Sequence, residues 1–132
     1  NGESPDPSLG TVRRQKTATP LQPLVTLNDP QFVEAARVLA ERTMKQKVDT
    51  DSRIRWFFLS VVSRNPRPIE LQILKELYET EMQAFVKEPQ RAESLLSTGE
   101  YPRDKSLNTA ELAAFTVVAN TILNYDEALV KR

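Results

Sequence analysis

Few residues in this chain have the type and spacing to do chemistry. Three acidic pairs, Glu76 with Glu79, Asp49 with Asp51, and Asp126 with Glu127, have the proximity that acid–base catalysis or cation binding requires. Each sits among Lys or Arg on an expected solvent face or at a helix end, so solvated charge is the default reading. Arg13, Arg14 and Lys16 have the chemistry to grip a phosphate or an acidic glycan, but three cations without interleaved aromatics make a weak signal. Thr17, Thr19 and Gln22 surround Pro20, either as a small polar site or as side chains that satisfy backbone groups beside the prolines. Trp56, the single tryptophan, either offers an exposed aromatic to a sugar or partner or covers a second core against the N-terminal arm; packing is the favoured reading. Asn124, Tyr125 and Asp126 are expected to end the last helix by hydrogen bonding. The candidate interaction residues are therefore Arg13, Arg14, Thr17, Thr19, Gln22 and Trp56, with no catalytic, cofactor-binding or metal-binding residue proposed.

Composition narrows the chemistry further. The chain has 132 residues, enough for one domain with a real core, and contains neither Cys nor His. Disulfides, thiolate nucleophiles, iron–sulfur ligation, covalent haem and the commonest metal ligand and general base are all excluded. Eighteen basic and eighteen acidic residues give zero formal net charge, so no global field favours nucleic acid or an anionic membrane. No apolar run approaches the ~20 residues of a membrane span.

The elements that position these residues are helical. Residues 1–10, polar and Pro-rich, read as a flexible linker, and residues 11–132 as a single helical domain. From Gly10 to Leu27 the prolines disfavour a long helix, yet Leu21, Leu24, Val25 and Leu27 recur, which predicts an extended arm lying across the helices. Asn28 as N-cap, Pro30 in the first turn, Gln31 at the capping-box position and a Leu27–Phe32 staple announce a helix over 30–46. Its apolar stripe of Phe32, Ala36 and Leu39 is opposed by Glu34, Arg37, Glu41 and Lys45, expected to face solvent. Thr50 and Asp51 are expected to cap a second helix over 51–64, in which Ile54, Phe57, Phe58, Val61 and Val62 follow a helical period; a buried strand "WFFLSVV" is the competing reading. Pro68 suits the start of a third helix over 68–87, with an expected Lys75–Glu79 pair. Pro89 opens a short fourth helix over 89–98 that Gly99 is expected to end in a left-handed cap. Asn108, Glu111, Leu107 and Leu112 repeat the cap, box and staple for a last helix over 108–125, whose stripe is Leu112, Phe115, Ala119 and Ile122. The predicted fold is all-α, a compact bundle of about five helices with an extended N-terminal arm.

Four motifs in order, "TATPLQPLVTLNDPQFVEAARVLAER", "RIRWFFLSVVSRNPRPIELQIL", "LLSTGE" and "AELAAFTVVANTILNYDEALVKR", resemble the C-terminal part of the planctomycete cytochrome-associated domain of unknown function. The resemblance implies that this chain is the tail of a larger domain, in exported proteins that often carry an N-terminal cytochrome-c-like module. It supplies no catalytic residues and no cofactor. Where relatives resemble Thr-Pro-x-Glu before the third helix, this chain has Arg67, Pro68, Ile69 and Glu70, which loses the hydroxyl cap that would answer Glu70. Two functional classes follow. The favoured one is a noncatalytic helical interaction or scaffold domain, partnered by the rest of its own chain or by another protein. The alternative is part of an enzyme or carbohydrate- or ligand-binding unit whose chemistry lies in the missing N-terminal region.

Overall fold

The five expected helices form, as α1 (Pro30–Gln46), α2 (Thr50–Val62), α3 (Pro68–Lys87), α4 (Pro89–Leu96) and α5 (Thr109–Val130). The computed structural model describes residues 30–130, and no strand occurs among them. The expected linker, the arm over Thr17–Leu27, the Asn28 cap and the candidates Arg13, Arg14, Thr17, Thr19 and Gln22 lie outside the described residues. No helix among the described residues is long and apolar enough to cross a membrane.

Helix α5 is the axis of the bundle, and α1, α2, α3 and α4 all pack on it. Its expected single stripe is too narrow a description, because every residue from Leu112 to Ile122 is buried. That stretch carries no charge, and a helix apolar all round can be stable in water only when neighbours cover every side. Phe57 of α2 meets Phe115 edge-on with ring centroids 5.9 Å apart, and Phe58 lies 6.1 Å from Tyr125. Ile54, Phe57 and Phe58 share the buried face of α2, so the helical period wins over the strand reading. Each such buried side chain contributes about 1.5–3 kcal/mol by transfer.

Helix ends depart from expectation where side-chain chemistry intervenes. Asp49, not Thr50 or Asp51, caps α2: its backbone is extended (φ −100, ψ 158) and its carboxylate accepts from the Ser52 amide at 3.0 Å. Asp51 instead reaches α3, where its carboxylate lies 2.9 Å from Lys75 Nζ. That cross-helix contact takes the lysine expected to pair with Glu79. Helix α2 stops at Val62 because Ser63 takes a left-handed conformation (φ 70) while its amide donates to the Leu59 carbonyl at 3.0 Å. Helix α4 stops at Leu96, and Gly99, expected as its cap, belongs to the following loop. Asn108 caps α5 as expected, its Oδ1 accepting from the Glu111 amide at 3.0 Å.

The largest departure is at the far end of α5. Asn124, Tyr125 and Asp126 do not end the helix, which runs on to Val130. Tyr125 is buried, and its hydroxyl donates to Glu70 Oε2 at 2.6 Å. Glu70 also takes a two-pronged hydrogen bond from Arg64, at 2.8 and 2.9 Å, and a third partner in the Arg67 amide at 2.8 Å. The Arg64 guanidinium covers the Phe58 ring at 5.2 Å. One buried carboxylate thus ties the end of α2, the start of α3 and the last turns of α5. The Arg64 guanidinium hydrogen-bonded to Glu70 is the main reason its carboxyl is pulled down to about 2, with the Tyr125 hydroxyl and the Arg67 amide helping and burial opposing. Burial pushes the Tyr125 phenol up, and the Glu70 carboxylate adds to the rise.

Two outcomes are expected from this corner. Because the folded Glu70 titrates below its ordinary value of 4.5, its stabilisation is complete above about pH 4.5 and is lost as pH falls toward 2. Glu70→Gln should therefore cost about 3 kcal/mol at neutral pH, by leaving Arg64 without its anion, and should flatten the acid limb of the melting-temperature profile. An acid limb as steep as that of the parent would show that Glu70 does not carry it. At the neighbouring position, Arg67 supplies only half of a capping box, since its amide bonds Glu70 but a guanidinium has no acceptor for the amide of that residue. Arg67→Thr should raise stability by about 0.5–2 kcal/mol, measured by thermal or urea melts.

Candidate functional site

Of the charged stripe of α1 only Lys45 is exposed to solvent. Arg37 is 1% exposed and Glu41 7%, because the connection between α4 and α5 is folded down onto them. Glu34 accepts from the backbone amides of Glu100 (2.8 Å) and Tyr101. Arg37 donates to the Tyr101 carbonyl and, at 2.7 Å, to Glu41. Glu41 also accepts the Asp104 amide at 3.0 Å, and Lys45 forms an ion pair with Asp104. Residues spaced three and four apart on one helix face thus follow the loop step by step. The Tyr101 carbonyl and the Asp104 amide, both part-buried, gain most from these partners, since a polar group taken from water without one is costly.

The chain bends into this strap at Gly99, whose φ of 89 favours glycine and whose missing side chain leaves room for the Glu34 carboxyl group. Further along, the Lys45 ammonium and the Ser106 hydroxyl and amide hold the Asp104 carboxyl well below the usual carboxylate range, while Asp104 raises Lys45. Asp104 accepts from the Ser106 amide at 2.9 Å and its hydroxyl at 2.6 Å, a local turn that closes the loop. On the other flank Arg103 donates to Glu93 of α4 at 3.0 Å.

What this anchoring presents is an exposed crest. Tyr101 is 61% exposed although its amide and carbonyl are both held by α1, and Glu100, Pro102 and Lys105 are exposed around it. Between crest and α4 runs a cleft of about 290 Å³ whose lining includes Glu93, Ser97, Tyr101, Arg103 and Lys105. A rigid backbone carrying an exposed aromatic with mixed charge is suited to contact, because little ordering entropy remains to be lost on binding.

A second feature lies between α2 and α3. A groove of about 200 Å³ is lined by Arg55, Pro66, Pro68, Leu71, Gln72 and Lys75. Trp56, the only sequence candidate among the described residues, lies on α2, half-buried and outside that lining, its carbonyl accepting from the Ser60 hydroxyl at 2.8 Å. Of the acidic pairs, Asp49 caps α2, Asp51 pairs with Lys75, and Glu76 accepts from Gln72 at 2.9 Å. Sequence reasoning missed the Glu34, Arg37 and Glu41 strap and with it Tyr101. The signal available was an alternating-charge stripe at helical spacing, which a solvated face explains equally well.

The family model described as PSD1, protein of unknown function (DUF1553), matches residues 3–78, more than half of the chain, and the chain belongs to that family. The matched span contains α1, α2, the groove between α2 and α3, and Glu70 with its partners Arg64 and Arg67; the Tyr101 loop follows it. No curated protein and no solved structure matches the chain.

Gly99→Ala tests the strap. A side chain there is strained in the left-handed region by about 1–2 kcal/mol and collides with the Glu34 carboxyl group. The expected result is a lower melting temperature together with faster amide exchange at Glu100, Tyr101 and Asp104. Unchanged exchange at those amides would mean that α1 does not hold the loop.

Proposed function

We propose that this member of the PSD1 family is a noncatalytic helical interaction domain, and that its contact surface is the crest of the loop strapped to α1. The observation that carries this reading is the arrangement around Tyr101: its backbone is fixed by Glu34 and Arg37 while its side chain projects into solvent. Three buried or partly buried ionisable groups of α1 are committed to holding a loop whose outer surface the fold itself does not use. Loops on rigid scaffolds are where binding residues concentrate.

The partner is the remainder of the same parent chain. That assignment is supported by the resemblance of the four sequence motifs to the C-terminal part of a larger, cytochrome-associated domain in exported planctomycete proteins, which also supports an extracytoplasmic setting. In this reading the domain closes the larger unit by contributing Tyr101 and its neighbours, while any chemistry resides elsewhere in the parent.

The test is titration of the isotope-labelled chain with the segment that precedes it in the parent. Amide shifts are expected to concentrate at residues 99–105, and Tyr101→Ala should weaken binding by about tenfold or more without lowering the melting temperature. Shifts confined to other helices would remove the loop as the contact. Turnover of a substrate by this chain alone would overturn the noncatalytic reading.

A further inference from the structure

The strap between α4 and α5 is fastened without apolar packing of its own. Its ends are pinned by leucines, Leu96 buried at the end of α4 and Leu107 packed against the core. Between them no apolar side chain is buried, since Tyr101 and Pro102 are both exposed. Residues 100–104 are held by a linked series of polar contacts. Glu34 accepts from the Glu100 and Tyr101 amides, Arg37 bonds both the Tyr101 carbonyl and Glu41, Glu41 accepts from the Asp104 amide, and the Asp104 carboxylate pairs with Lys45. Because Arg37, Glu41 and Asp104 each serve two neighbours, losing one contact weakens the next.

The closed arrangement also carries a cost. It keeps the Arg37 and Glu41 side chains out of water, and two buried guanidinium nitrogens, Arg37 Nε and Arg103 Nη1, have no hydrogen-bond partner among the described residues. Both guanidinium groups belong to the strap's fastenings, the second through the bond of its other terminal nitrogen to Glu93. Opening the strap would bring water to both nitrogens and rehydrate the two charged side chains while withdrawing no buried apolar side chain of its own.

We propose that the strap is a conformational gate: residues 97–106 open and close on the folded bundle as one unit, and Tyr101 is presented for contact only while the unit is closed. Gly99, at φ 89, and the turn from Asp104 to Ser106 lie toward its two ends and take up the change in backbone direction. The closed form is dominant and has the fixed backbone that contact needs; the open form is a minor state of the same folded chain. The inference rests on the reading of Tyr101 as the contact residue and adds its regulation. A partner that binds the closed crest draws population from the open form, and anything that loosens one fastening withdraws the whole surface.

Native-state amide exchange of the full chain in rising urea tests the gate. The Glu100, Tyr101 and Asp104 amides should share one protection factor, about a hundredfold or more below that of amides in residues 112–122, and one shallow urea dependence. Lys45→Ala removes an exposed side chain whose strap contact is Asp104, yet it should speed exchange at all three amides alike, by about two- to fivefold. Glu41→Gln should speed all three by about tenfold or more. Faster exchange at Asp104 alone in both variants would show that the fastenings act singly, and a urea dependence as steep as that of α5 would show that the strap opens only when the bundle unfolds; either overturns the proposal. Addition of the segment that precedes the chain in the parent should slow all three amides together. Shifts at residues 99–105 without that slowing would overturn the gating, whereas absence of those shifts would overturn the contact itself and leave the two-state strap standing.

Discussion

Burial of α5 on every side is the constraint from which the architecture follows. From Leu112 to Ile122 nothing in the helix can be left to water without exposing a broad apolar surface, so four other helices are required to wrap it. Ala113, Ala114 and Ala119 let neighbouring backbones approach closely, while Phe115 fills the space against Phe57. Two polar members of the stretch are accommodated locally. Thr116 and Thr121 turn their hydroxyls onto the carbonyls of Leu112 and Val117, at 2.7 and 2.9 Å, so neither needs a partner from another helix.

Apolar wrapping is non-directional, and two polar clasps supply the register it lacks. One is Glu70, which gathers Arg64, Tyr125 and the Arg67 amide where three helices meet. The other is the α1 stripe, where Glu34, Arg37 and Glu41 are spent on the backbone of the α4–α5 loop. A buried ion pair adds little net stability compared with an apolar pair, but losing one partner is costly, so such groups penalise wrong arrangements more than they reward the right one. Both clasps also bond backbone amides, which ties the ends of elements and not merely their faces.

This division of labour leaves two outward surfaces defined and unoccupied by the fold. The loop clasp fixes the crest that bears Tyr101, and the corner clasp holds the Arg67 amide between Pro66 and Pro68, which line the α2–α3 groove. Rigid scaffolding below and free functional groups above is the arrangement that makes binding cheap in conformational entropy.

The sequence by itself determined the helices. Pro30, Pro68 and Pro89 each open one, Asn108 caps α5, and the Ile54, Phe57, Phe58 spacing marks the buried face of α2, because caps and periodicity depend on neighbours within a few residues. Only the tertiary structure decided the fate of the charges. Arg37 and Glu41 look like a solvated face until a loop some sixty positions away needs its amides and carbonyl satisfied. Tyr125 looks like the end of a helix until Glu70 is brought within 2.6 Å. Charged and polar side chains are equally stable in water or in a matched pair, so their own sequence neighbourhood does not choose between the two. The choice is made by distant groups that bring matching donors and acceptors, and their placement is set only when the chain has folded.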